Sequence, residues 1–232
     1  MKTAYGYPIV TTRNIHLILK KLGIKPWEKT APDTTLEEYA KRDLNDKQRA
    51  ELRFAPKPDV VRFYKNPATE EPFTGFCNVG DPWLTVFALV PWDPEPLVVV
   101  TVEFKHGFGK VVLVPPSGNI SQKDRGSWPR AAKREFEEET GFKLARIIAL
   151  ASGKEQGASV RQYTAGIYSF LGILKDPVER RPSRLDDNEL LKVVLVPLSD
   201  WLDIIDRGDT YDIAAVVPTH LGVRKLQKLR ML

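Results

Sequence analysis

One stretch, Arg134-Glu135-Phe136-Glu137-Glu138-Glu139-Thr140-Gly141-Phe142, constrains this chain more than any other. In a helix each residue advances about 100°, so Glu135, Glu138 and Glu139 share one side and Glu137 points away. Ala132 and Phe136, four residues apart, supply the apolar stripe for a core. Gly141 stands where a helix takes a left-handed residue to stop. The carboxylates therefore crowd the last turns, where the macrodipole is already negative and like charges at i,i+4 repel. Arg134 offsets part of this through Glu138. A solvated acidic face is the ordinary meaning of such a run. A cluster of hard oxygen donors on one side is also what Mg²⁺ or Mn²⁺ binds.

The residues upstream favour the second meaning. Lys110 to Val114 reads as a strand, followed by Pro115-Pro116-Ser117-Gly118 and a polar loop. Ser127 is a candidate N-cap, with Trp128 and Pro129 in the first helical turn. Strand, Gly118 loop and R-E-F-E-E-E-T-G-F helix resemble the Nudix box, whose pattern is G-x5-E-x7-R-E-U-x-E-E-x-G-U with U hydrophobic. The second half of the pattern matches at every fixed position. The first half departs from it. Arg134 lies sixteen positions after Gly118, where the pattern has fourteen. Counting back from Arg134 for the isolated glutamate reaches Gly126, and counting forward from Gly118 reaches Asp124. Either Asp124 substitutes from a longer loop, as a second metal-shell or water-binding group, or that carboxylate is absent.

The resemblance covers about residues 80 to 210. It implies an α+β fold, an α/β/α sandwich with a mixed β-sheet, and hydrolysis of a nucleoside diphosphate linked to another group. Glu135, Glu138 and Glu139 would hold the metal, with Glu135 alternatively positioning a water. Arg134 would orient the glutamates, and backbone near Ser117 or Gly118 would complete the site. Glu103-Phe104-Lys105-His106 falls where relatives acting on ADP-ribose and other ADP-sugars place a substrate-contacting strand end, so Lys105 stands where they carry arginine. Lysine keeps the charge and loses the bidentate fork. The acidic loop Asp186-Asp187-Asn188-Glu189 is similar to one that can activate water in that branch, which gives Glu189 a proton-accepting role; an exposed loop acid is its other meaning. An ADP-sugar such as ADP-ribose is the first expectation for the substrate. A dinucleoside polyphosphate, a noncanonical NTP, or a nucleotide-binding sensor with little turnover are the alternatives.

Composition sets outer bounds. With 232 residues, 42% hydrophobic and 28% charged, the chain can bury a sizeable core. Its apolar runs are strand-length, so no membrane span is expected, and no secretory signal is visible. The single cysteine, Cys77, excludes an intrachain disulfide and fits a reducing cytoplasm. A net charge of +5 suits anionic ligands such as phosphates. No nucleic-acid-reading module is present, so nucleic acid is not an expected partner.

Two domains are expected: a mainly helical N-terminal extension over 1–78 and the catalytic domain over 79–232. In the extension, Asn14 to Leu22 has helical periodicity, with Ile15, Ile18, Leu19 and Leu22 on one side and Gly23 as a stop. Thr34 and Thr35 with Glu37 and Glu38 resemble a capping box opening a second helix to about Asp43. Asn45 to Gln48 opens a third, to about Phe54. The extension packs on the catalytic domain by default, and substrate recognition or a homodimer contact is the alternative. Later in the chain, Leu84 to Val90, Leu97 to Phe104, Ala145 to Ala151, Arg161 to Leu174 and Val193 to Pro197 read as strands. A helix capped by Ser199 with a Trp201, Leu202 and Ile205 stripe follows, then a basic amphipathic helix from Pro218 to Leu232.

Overall fold

The computed structural model describes residues 2–25, 34–46, 48–49, 58–65, 72–78, 80–105, 109–157, 165–185, 190–210 and 212–232. In chain order the elements are strands β1 (Thr3–Ala4) and β2 (Tyr7–Pro8), helices α1 (Ile15–Leu22) and α2 (Leu36–Ala40), and strands β3 (Pro58–Lys65) and β4 (Pro72–Asn78). Strands β5 (Trp83–Val90), β6 (Leu97–Lys105), β7 (Lys110–Val114) and β8 (Ser117–Asn119) lead to helix α3 (Trp128–Thr140). Strands β9 (Leu144–Ala149), β10 (Gln156–Gly157), β11 (Gly166–Leu174) and β12 (Leu191–Pro197) precede helices α4 (Leu198–Asp206) and α5 (Ile213–Lys228).

These elements form two compact units. One comprises Met1–Trp27, Pro82–Gln156 and Ile167–Leu232; the other comprises Glu28–Asp81 and Gly157–Gly166. A single cut at residue 78 therefore differs from the observed grouping. Ile9 bridges Leu195 in parallel, and the Val10 N–H donates to the Leu195 carbonyl at 2.8 Å, so the first residues extend the sheet edge at β12. Helix α1 buries Ile15 and Ile18 and stops at left-handed Gly23, as the periodicity predicts. Beside its helices, the described part of 1–78 holds the β1–β2 and β3–β4 hairpins, so it is less helical than expected. In the second unit Thr35 and Glu38 form the expected capping box. Asn45 and Gln48 cap each other in the same reciprocal way, and Phe54 lies outside the described residues.

The large sheet of the first unit runs β10–β11–β5–β6–β12, with β7 on β6, β8 on β5 and β9 on β11. It is mixed: β11 and β5 are parallel, and β6 pairs antiparallel with β12 and β7. Its central strands are buried on both faces, which is why they read as unbroken apolar runs. Side chains alternate between two cores. Leu84, Val86, Ala88, Leu97, Val99 and Leu195 face Ala132, Phe136 and Phe142 around α3. Phe87, Val98, Val100, Val194 and Val196 face Trp201, Ile204, Ala215, Leu226 and the α1 residues Ile15 and Ile18. This is the expected helix–sheet–helix sandwich.

Two helix starts differ from expectation. Ser199 lies inside α4, after Pro197 at the N-cap, and donates its N–H and hydroxyl to Glu95 at 2.9 and 2.8 Å. The buried stripe of α4 is Trp201 and Ile204, whereas Leu202 is only half-buried. Helix α5 begins five residues before Pro218, capped by Asp212, whose carboxylate accepts from the Ala214 N–H at 2.9 Å. A proline inside a helix leaves the carbonyl four residues back without its usual donor. Here that carbonyl is Ala214, and the Thr85 hydroxyl donates to it at 3.2 Å. A partner on a distant strand makes the interior proline tolerable.

Candidate active site

Helix α3 forms as the sequence dictates. Ala131, Ala132 and Phe136 are buried in the core, Glu139 is buried as well, and Glu135 and Glu138 are half-buried on the opposite side. Ser127 occupies the N-cap without a side-chain cap bond, and Gly141 closes the helix at φ 70°. That glycine is required twice over. A β-carbon there would stand 1.9 Å from the Arg181 carbonyl oxygen, because residues 180–184 cross the helix end. The Arg181 N–H donates to the Gly141 carbonyl at 2.8 Å, and the Arg184 N–H donates to the Glu138 carbonyl at 2.7 Å. Glu137 points away and accepts from the Leu144 N–H at 3.1 Å and from Lys143.

The glutamate side opens on a cleft of about 460 Å³. One wall is the end of β8 and the turn after it, namely Gly118, Asn119, Ile120, Ser121 and Lys123. The other is Arg134, Glu135, Glu138 and Glu139, with Arg184 and Leu185 at the margin. Gly118 is close-packed for a different reason from Gly141: a β-carbon would lie 2.3 Å from Glu135 Cδ. The Glu135 side chain thus rests directly on the β8 backbone. Burial raises the Glu135 pKa above the usual carboxylate value, opposed by Arg134 and reinforced by the negative charge of Glu138.

Arg134 organises this wall. Its Nε and Nη2 donate to the two Asp124 oxygens at 2.9 and 2.8 Å, a bidentate pair. Nη2 also donates to the Asn119 carbonyl at 3.1 Å and lies 2.9 Å from Glu135 Oε1, while Nη1 donates to Glu138 at 3.2 Å. Asp124 is 1% exposed and also accepts from the Ser121 N–H and hydroxyl, each at 2.8 Å. Its hydrogen bonds, first of all those from Arg134, hold its pKa far below the ordinary carboxylate range. Of the two counts through the longer loop, the forward one thus reaches the carboxylate that meets Arg134. A short 3₁₀ turn over Gln122–Asp124 folds it beneath the helix. Both Asp124 oxygens are engaged by the protein, and Asp124 is not among the cleft-lining residues.

The structure places Gly118, Arg134, Glu135, Glu138 and Glu139 on one cleft. Lys105, at the end of β6, is not among the lining residues, and its ammonium lies 3.0 Å from Glu103. Glu189 and His106 lie outside the described residues. Sequence reasoning missed Lys123, Arg184 and Leu185. The only signal was the basic run Arg180-Arg181-Pro182-Ser183-Arg184, which spacing alone does not connect to α3.

Among the described residues, no three His, Cys, Asp or Glu side chains form a ready-made metal site. The donor set still fits Mg²⁺. Carboxylates line an open cleft, and one of them is disfavoured as an anion by burial and by its neighbour. Mg²⁺ commonly takes one or two carboxylates and completes its shell with water and substrate phosphates.

The chain matches no protein-family model and no curated protein. It does resemble solved structures. One is the crystal structure of an ADP compounds hydrolase, with a TM-score of 0.57 and 17% identity over 76% of this chain and 97% of that one. At that identity the likeness defines the fold, and the fold is Nudix-like. No helix among the described residues is long and apolar enough to cross a membrane.

Proposed function

We propose that this chain is a metal-dependent hydrolase of nucleotide pyrophosphates, acting on a nucleoside diphosphate linked to a second group. The substrate this reading favours is an ADP-sugar such as ADP-ribose. The observation that carries the reading is the convergence of Glu135, Glu138, Glu139 and Arg134 on one cleft, against strand β8, whose Gly118 lets backbone approach Glu135. The fold shared with an ADP compounds hydrolase supports the same substrate class. The single cysteine keeps the cytoplasm as the expected compartment.

Glu138 and Glu139, with Glu135, would hold Mg²⁺ or Mn²⁺, which when bound offsets the repulsion between glutamates and pyrophosphate and polarises phosphorus. Arg134 keeps two of those carboxylates in place, and Asp124 is a positioning residue acting through Arg134. Water attacks one phosphorus, the bond to the bridging oxygen breaks, and a nucleoside monophosphate and a phosphorylated second group leave. The water's proton passes to a carboxylate. Resemblance gives that role to Glu189, and Glu189→Gln tests it. A fall in kcat of about 100-fold keeps the role there, and an unchanged kcat passes it to Glu135, which lines the cleft.

The deciding experiment is a panel of nucleoside diphosphate derivatives, with dinucleoside polyphosphates and NTPs, assayed with Mg²⁺ or Mn²⁺ for released phosphomonoesters. We expect turnover of ADP compounds, and losses of at least about 100-fold in Glu138→Gln and in Glu139→Gln. Without metal, both variants should melt at or slightly above the wild-type temperature, because each relieves like-charge repulsion. Turnover near wild type in both would sink the proposed metal site.

A further inference from the structure

We infer that Arg184 is the residue that grips the diphosphate bridge of the substrate, a role that rests on the hydrolase reading above. The argument begins with what the cleft offers a phosphate. Its three lining glutamates repel one, and its lining cations are Lys123, Arg134 and Arg184. Arg134 is committed elsewhere: its three nitrogens contact Asp124, Asn119, Glu135 and Glu138. Turning it toward a ligand would leave buried Asp124 without its cation.

Arg184 differs in each of these respects. Its backbone is fixed, with its N–H on the Glu138 carbonyl at 2.7 Å, so the side chain is rooted at the edge of the cleft. The chain just before it is anchored as well. The Arg180 guanidinium lies 4.0 Å from the centre of the Tyr7 ring, and the Tyr7 hydroxyl donates to the Thr140 carbonyl at 2.6 Å. Yet the Arg184 side chain is 75% exposed, and its contact with Glu138 is a loose 3.7 Å. A rooted backbone with an exposed guanidinium is a short tether carrying a planar fork, the geometry that matches two phosphate oxygens at once. When a cation is bound at Glu138, the attraction holding Arg184 there weakens, and the pyrophosphate becomes its better partner.

The test compares wild type with Arg184→Ala and Arg184→Lys in three measurements: steady-state kinetics, calorimetric binding of ADP with Mg²⁺, and binding of Mn²⁺ alone. For Arg184→Ala we expect KM and the ADP dissociation constant to rise about 10- to 100-fold. The change in kcat should stay within about threefold, with Arg184→Lys intermediate in both constants because it keeps charge and loses the fork. Mn²⁺ affinity should hold or rise, since a competing cation has left Glu138. Unchanged KM and ADP affinity in Arg184→Ala would overturn the inference while leaving the hydrolase reading intact. A parallel fall in Mn²⁺ and ADP affinity would also overturn it, by making Arg184 a structural support. If wild type binds ADP but turns nothing over, weaker ADP binding in Arg184→Ala still upholds the inference although the hydrolase reading fails. Absence of ADP binding to wild type overturns it.

Discussion

Arg134 and Arg184 both approach the Glu138 carboxylate, at 3.2 and 3.7 Å, in very different surroundings. The Arg184 side chain is 75% exposed, with a loose contact to Glu138 beyond its anchored backbone, whereas the Arg134 side chain is 20% exposed and paired with a carboxylate that is itself buried. The same residue type therefore serves as a fixed strut in one place and as an extendable arm in the other. What separates them is desolvation. A buried guanidinium must keep its partners, because losing one leaves an uncompensated charge, whereas water substitutes for any partner of an exposed one.

The widest gap should appear in stability. Arg134→Met leaves Asp124 buried without its cation and should cost about 3–5 kcal/mol in urea unfolding, against no more than about 0.5 kcal/mol for Arg184→Met. Similar losses in the two variants would erase the distinction. Next comes Gly118→Ala, which pushes Glu135 off the β8 backbone it rests on. We expect kcat/KM to fall about 100-fold while the melting temperature moves little, since the obstructed group is a side chain at a cleft.

Asp124→Asn probes the strut from its other end. It keeps the shape and removes the charge, for an expected loss of about 2 kcal/mol. The folded pKa of Asp124 lies below its unfolded value, so its stabilisation is complete above the ordinary carboxylate value and drains as pH falls toward the folded one. The stability difference between wild type and Asp124→Asn should be constant at neutral pH and shrink only below about pH 4. A difference that grew in acid would contradict the ion pair. The smallest effect belongs to Tyr7→Phe, which strips a donor from the buried Thr140 carbonyl and should cost about 1 kcal/mol by thermal melt. Because Tyr7 also carries Arg180, a rise in KM in this variant would extend the anchoring of Arg184 to the N-terminal hairpin.

Much of this molecule is written locally. The α3 boundaries follow from the apolar stripe at Ala132 and Phe136 and from Gly141, because helix period and the left-handed stop act within a few residues. The central strands are legible for the same reason: apolar runs between prolines have few other ways to bury themselves. The three-glutamate side of the cleft and its Arg134–Glu138 pair likewise depend on spacing alone.

Tertiary structure decided whatever depends on a partner far along the chain. Spacing left Asp124 and Gly126 as rival ends of one count, and only the fold of the Gln122–Asp124 turn brings a carboxylate under Arg134. Lys105 fits a strand-end pattern, yet its ammonium pairs with Glu103. Helix α5 runs through Pro218 because Thr85, 129 positions from Ala214, supplies the missing donor. Arg184 likewise meets α3 at Glu138, outside the reach of helix or strand periodicity. Periodicity encodes which face of a segment is buried, but a hydrogen bond or ion pair between distant segments is fixed by packing, where one residue's partner is set by every element between them.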